Sequence, residues 1–298
     1  MKFIAWGQKL HQGTHSYVHD AFCTAFKNLG YDTYHLDDND NISSMSFKDT
    51  IFITLGGCDK NIPITNDAKY ILHNCDAEKY KDIKEENKIT LQVYTNAIAE
   101  GTENYAAEEI QKIDELVYWS EKGRKLYQPW ATNLLPEEIN NKYEPVNNKT
   151  AIWCGSVWGG IHGNIEELTK FNFSLQPKGY QFQIYRPGST SFEQNKQFVK
   201  NNELAPAING TWQKNVHYIP CRIFKNISYG ALGITNNEAV YNLLQGQVIY
   251  SQNEEELIDL YLSTPTQKRK EMFENSCELV KTKHTYINRA KAILECLS

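Results

Sequence analysis

The sequence predicts an α/β chain built as two parallel-sheet halves, and three observations carry that prediction. The first is length: 298 residues exceed what a single hydrophobic core usually organises, so two domains of roughly 150 residues are the natural division. The second is alternation, because short apolar runs suited to strands recur in the first third of the chain with helical or loop segments between them. The third is a restart. After a polar, turn-rich stretch at 140–150, the alternation begins again at Ala151.

Residues 2–6 (KFIAW) form the first strand. A polar loop leads to a helix over 16–29, which brings Val18, Phe22, Ala25, Phe26 and Leu29 to one side and closes at Gly30. Residues 33–36, 50–55, 69–74 and 89–94 read as short strands of a largely parallel sheet covered on both faces. Gly123, Pro129, Pro136 and nearby aromatic residues break any helical pattern over 122–136 and end the first domain. In the second half a strand at 151–154 turns at Gly155-Ser156. A helix near 164–171, a strand at 181–185, a helix at 192–201 and a strand at 205–208 follow. Residues 247–250 read as a further strand, and 253–263, 265–282 and 287–297 as helices. The domains accordingly fall at 1–145 and 146–283, with 284–298 as a terminal helix able to cross back onto the first.

Composition narrows the function. Hydrophobic residues make up 41% of the chain, enough for two cores. A formal charge of −5 and a pI near 5.9 oppose general binding to nucleic acid or anionic membranes, so no nucleic-acid partner is expected and any phosphate site must be local. The seven cysteines are scattered without a C-x-x-C spacing, which suits reduced, mostly buried thiols. No signal-like or membrane-length apolar run is visible, so a soluble, cytoplasmic protein is expected.

The most informative stretch is 221–237, CRIFKNISYGALGITNN. On a helix Arg222 and Lys225 share one face while Ile223, Phe224 and Ile227 turn toward a core, and Gly230 ends the helix. Residues 231–234 then read as a buried strand. Thr235, Asn236, Asn237 and Glu238 lie at its C-terminal end, where open α/β sheets bind ligands. Two clustered cations suit a phosphate-bearing ligand. Asp37-Asp38-Asn39-Asp40 sits at a strand end, where a solvated turn is a better reading than a metal site.

This run is similar to the "RVFEAAACGAL" run of the GT-B glycosyltransferases, in the group 1 branch related to spore-coat maturation (CgeB-like). His284-Thr285-Tyr286 with Arg289-Ala290 resembles that branch's terminal "HTYxxRA". Residues 128–133, QPWATN, resemble its "PWATDLLP" segment, with Asn133 where Asp is usual. The resemblance spans most of the chain and is strongest from residue 217. It implies two Rossmann-like domains facing each other across a cleft, the first for a glycan or other hydroxyl acceptor and the second for a nucleotide sugar. UDP is favoured as the nucleotide and GDP is possible.

It also implies roles. Arg222 and Lys225 offset the charge of the departing diphosphate without a metal or other cofactor. Gly155 and Ser156 bring backbone N–H groups to the phosphate. Tyr218, Ile219 and Trp212 wall the base, and Asn236, Asn237 and Glu238 complete the donor site. Glu238 takes the ribose contact, because the Glu common in the family helix is Lys225 here. Gly13, Thr14 and His15 follow the first strand, and an imidazole of near-neutral pKa at His15 serves as the base of an inverting transfer. His19, Asp38 and Asp59 join Gly13 and Thr14 as acceptor contacts, with His19 and Asp38 as reserve bases. A sugar-nucleotide epimerase of the same architecture and a catalytically silent nucleotide-sugar binding protein are the alternatives.

Overall fold

Alternation along the first strand sets the first core. In the computed structural model, which describes residues 1–9, 13–94, 110–114, 116–186, 188 and 191–298, β1 (Lys2–Trp6) sends successive side chains to opposite faces. Phe3 stacks on Phe26 of α1 (Thr14–Asn28) at 3.8 Å between ring centroids. Ile4 and Trp6 face the other way, into a cluster with Phe52, Tyr70 and Tyr80.

The chain divides into two compact units, Met1–Pro129 with Tyr286–Ser298, and Trp130–Thr285. In the first unit β1, β2 (Asp32–Leu36), β3 (Thr50–Leu55), β4 (Ala68–His73) and β5 (Lys88–Gln92) run parallel. They continue into β8 (Lys125–Tyr127), β7 (Val117–Ser120) and β6 (Ile110–Asp114), giving the order β2-β1-β3-β4-β5-β8-β7-β6. The pairs β6–β7 and β7–β8 are antiparallel, an edge the sequence reading did not contain. One face of the sheet is covered by α1 and the terminal helix (Tyr286–Leu297), whose Tyr286 meets Phe22 edge-on at 4.8 Å. The other packs on loop residues, with Ile42, Met45, Phe47 and Ile62 supplying apolar contacts.

In the second unit β9 (Thr150–Cys154) pairs in parallel with β10 (Gln181–Tyr185), and β11 (Ile234–Thr235) with β12 (Ile249–Tyr250). Residues 204–207 join the two pairs, since Leu204 bridges Ala151 and Ala207 bridges Thr235. Ordered from β10 to β12, the strands run second, first, third, fourth, fifth. This doubly wound order puts a topological switch point between β9 and residues 204–207. Around the sheet lie α2 (Ile165–Leu175), α3 (Phe192–Asn201), α4 (Thr211–Asn215), α5 (Cys221–Ser228), α6 (Glu238–Leu243), α7 (Leu257–Ser263) and α8 (Thr266–Lys283).

The two motif segments at 128–133 and 284–290 turn out to be packing devices. Thr132 donates its N–H to the His284 carbonyl at 3.0 Å within the second unit, and Arg289 Nε donates to the Pro129 carbonyl at 2.8 Å within the first. Residues 130–145, expected in the first domain, pack with the second unit. Tyr143, for example, rests on Phe273 at 5.2 Å. Among the described residues, no helix is long and apolar enough to cross a membrane.

Candidate functional site

The helix α5 is held from several sides. Asn226 donates to the Ala205 carbonyl at 2.8 Å, Ser228 Oγ lies 2.7 Å from Thr132 Oγ1, and Tyr229 donates to Asn133 Oδ1 at 2.7 Å. Ile223, Phe224 and Ile227 are fully buried. This clamping decides where the cations go. The Arg222 guanidinium lies over the Trp153 ring, 3.6 Å from its centroid, and Nε donates to the Cys154 carbonyl at 3.2 Å. It therefore sits at the C-terminal end of β9, beside the switch point.

Gly155 makes that position possible. Its φ of +150° suits glycine, and a Cβ there would overlap Arg222 Nη2 and stand 3.0 Å from Cζ. No carboxylate pairs with Arg222 among the described residues, and the first turn of α5 holds no acidic residue to complement the helix dipole. Lys225, one turn along, is 9% exposed. Burial, reinforced by Arg222, lowers its pKa, and burial likewise lowers that of Arg222. Burial raises the Cys154 and Cys221 thiols, keeping them neutral rather than thiolate counterions. The result is a half-buried guanidinium and a buried ammonium at a strand end, an arrangement that favours an anionic guest.

Other donor-site expectations divide. Ser156 turns its carbonyl to Trp153 Nε1 at 3.3 Å. Ile219 is core. Asn236 is buried, accepting from the Asn209 N–H at 2.8 Å and donating to the Asn209 carbonyl and to Glu254 Oε1 at 2.8 and 2.6 Å. Asn237 caps α6 through the Ala239 N–H at 3.0 Å and donates to the Tyr218 carbonyl at 3.0 Å. Glu254 is also paired with Lys214 at 3.0 Å. Burial pushes its carboxyl up, but the Asn236 and Lys214 contacts outweigh this and leave it below the usual value. Asn236 and Asn237 thus have their side chains committed to a buried brace under the site. Glu238 is exposed at the start of α6, lightly contacted by Gln252 at 3.4 Å.

Among the described residues of the first unit, four imidazoles gather near the end of β1. His19 Nδ1 and His35 Nε2 both approach the Gly7 carbonyl, at 2.9 and 3.1 Å, so both nitrogens carry the proton they donate. His73 Nδ1 donates to the Leu91 carbonyl at 3.0 Å, and its ring lies 5.7 Å from that of His15. Burial first, then His73, drives the His15 pKa down to about 4. The near-neutral imidazole expected there is corrected accordingly: His15 is neutral at pH 7 but a weak base. Burial holds His19 lower still, at about 3.

The acidic acceptor candidates have structural employment. Asp38 accepts from Trp6 Nε1 at 3.0 Å, the Asn61 N–H at 2.8 Å and the Lys60 N–H at 3.1 Å, tying a loop to β1. Asp59 is buried, accepts the Tyr80 hydroxyl at 2.5 Å and pairs with Lys79 at 3.5 Å. Gly13 serves as N-cap of α1 without a crowded neighbour, and Thr14 is the helix's first residue. Asp37 and Asp40 close a turn, with Asp40 paired to Lys9 at 2.7 Å.

No family model matches the sequence, and no curated protein matches it in sequence. Solved structures do match in fold. An α-glucosyltransferase (AGT) in complex with UDP is 9% identical, with 99% of this chain and 98% of that chain covered at a TM-score of 0.62. An α-glucosyltransferase in complex with UDP and a 13-mer DNA containing an HMU base is 9% identical, covering 100% and 99% at 0.56. A glycosyltransferase from Rickettsia africae ESF-5 is 13% identical, covering 99% and 97% at 0.53. What is shared is the architecture: the chain has the GT-B fold of two Rossmann-like domains.

Proposed function

We propose that the protein is a glycosyltransferase that moves a sugar from a nucleoside-diphosphate sugar to a hydroxyl acceptor. The observation that carries this is the Arg222–Lys225 pair held at the switch-point end of β9 in the second unit. UDP in the solved counterparts favours UDP over GDP as the nucleotide. In the proposed step the bond from the anomeric carbon to the diphosphate oxygen breaks, and its electron pair leaves with the nucleotide. Arg222 and Lys225 offset the charge that builds there, without a metal. The acceptor oxygen bonds to the anomeric carbon with inversion and gives its proton to a His15 ring nitrogen. Burial keeps that ring deprotonated before reaction, so that it is free to take up the proton.

Glu238, exposed at the start of α6, remains the ribose contact in this reading, and Tyr218 with Trp212 the base wall. The first unit then handles the acceptor, through Thr14 and His15 rather than through Asp38 or Asp59. The kinship with spore-coat-maturation-like enzymes rests on the motifs at 221–232 and 284–290. The test is transfer or donor hydrolysis by Arg222→Ala and Lys225→Ala. Each variant should lose roughly 100-fold or more in rate, and full rates in both would end the charge role.

A second acceptor class comes from solved counterparts that hold DNA with an HMU base. The formal charge of −5 opposes DNA binding, which leaves a glycan or other hydroxyl compound as the first choice. Incubation with UDP-glucose and an HMU-containing 13-mer separates the two: sugar incorporated into the oligomer establishes DNA as the acceptor.

A further inference from the structure

The loop that leaves β9 is built across the switch point. Its first foot is Gly155, against the Arg222 guanidinium, and its second is Gly163, whose carbonyl packs so closely on Gly210 that a Cβ at 210 would overlap it. Asn164 staples the frame: its side-chain oxygen accepts the Trp158 N–H at 3.1 Å, and the Trp158 carbonyl accepts the Asn164 and Ile165 N–H groups at 3.0 and 3.1 Å. His162 meets Trp212 edge-on at 4.4 Å.

Despite this frame, the span between the feet offers apolar side chains to solvent. Trp158 is 63% exposed and Ile161 79%. The backbone N–H groups of Gly159, Gly160, Ile161 and His162 have no acceptor among the described residues. A flat indole face beside a row of open N–H donors matches one chemistry well. A pyranose presents a C–H face that packs on an aromatic ring and a rim of hydroxyl oxygens that accept hydrogen bonds.

Trp158 follows Gly155 by three residues, a reach of roughly 10 Å at most. A ring attached directly to a phosphate at Arg222 lies within that reach, while a nucleobase stands one ring further off. We infer that the loop 156–162 is the sugar subsite of the donor, with Trp158 as its stacking platform. This rests on the proposed function, because it takes the phosphate to lie at Arg222.

The experiment titrates wild type, Trp158→Ala and Trp158→Phe with UDP, UDP-glucose, UDP-galactose and UDP-N-acetylglucosamine by calorimetry. In the wild type at least one sugar nucleotide should bind more tightly than UDP. Trp158→Ala should erase that gain, roughly a tenfold loss, while its UDP affinity stays within about twofold, and Trp158→Phe should restore part of it. Equal losses for UDP and the sugar nucleotide would move the indole to the nucleoside and overturn the inference. So would a gain that survives Trp158→Ala, or no gain in the wild type. Should UDP itself fail to bind the wild type, the proposed function fails instead, and the two failures are told apart by the UDP arm alone.

Discussion

Replacing Gly155 by alanine should disable the phosphate site without touching a charged residue. Two costs follow from the geometry. The backbone at φ +150° strains any L side chain, about 1–3 kcal/mol. A Cβ would also occupy space now held by Arg222 Nη2, so the guanidinium must leave the Trp153 ring and the Cys154 carbonyl. A hydrogen bond to a charged group contributes about 1.5–3 kcal/mol, so displacing Arg222 should weaken UDP binding roughly 10- to 150-fold. The strain should appear separately, as a melting temperature lowered by about 2–12 °C at 2–4 °C per kcal/mol. Calorimetric titration with UDP and a thermal melt, on Gly155→Ala and Arg222→Ala together, read both effects. Were Gly155→Ala to bind UDP within twofold of wild type, the placement of the phosphate at Arg222 would be refuted.

Three further outcomes are expected. Asn236→Ala removes the acceptor of the Asn209 N–H and one of the two partners of Glu254, and should cost about 2–3 kcal/mol in urea unfolding; a cost below about 0.5 kcal/mol would dismiss the brace. Asp59→Asn should lower stability by about 2 kcal/mol, through Tyr80 and Lys79, while leaving the acceptor KM unchanged; a raised acceptor KM would return Asp59 to the acceptor site. Because the folded pKa of His19 lies at about 3, below that of the unfolded chain, its stabilising effect is complete above about pH 6.5 and is lost as the pH falls toward 3. Between pH 7 and pH 5 this histidine alone should account for about 2 kcal/mol of lost stability, seen as the difference between wild type and His19→Gln in paired urea melts. An identical pH dependence in the two proteins would contradict it.

How much of this was legible in the sequence follows from which contacts are local. The strands at 50–55 and 181–185 and the helix at 192–201 show their period over a few residues, and the structure has them at those bounds. The antiparallel edge β6–β7–β8 shows no clear period because its strands are three to five residues long, β6 and β8 carry charges, and the register is irregular between Lys112 and Asp114. The strand read at 231–234 shrinks to Ile234–Thr235, since Ala231 gives its N–H to the Asn226 carbonyl of α5 at 3.0 Å rather than to a neighbouring strand.

The site divides along the same line. Arg222 and Lys225 were visible because helical spacing places both on one face of a single helix. The burden carried by Asn236 was not visible, because its partners Asn209 and Glu254 lie 27 and 18 residues away and meet it only through the sheet order. The low pKa of His15 has the same origin, arising from burial and from His73 at the end of β4. No period or spacing in residues 155–163 marks Trp158. Only the two feet at Gly155 and Gly163 show what the loop spans.

The most direct test is a crystal structure with UDP bound. The account predicts diphosphate oxygens at about 2.7–3.2 Å from the Arg222 guanidinium nitrogens, with Lys225 close behind and the nucleotide lying along the C-terminal end of β9. UDP seated elsewhere, with Arg222 still turned to Cys154 and Trp153 and no phosphate near it, would contradict the account.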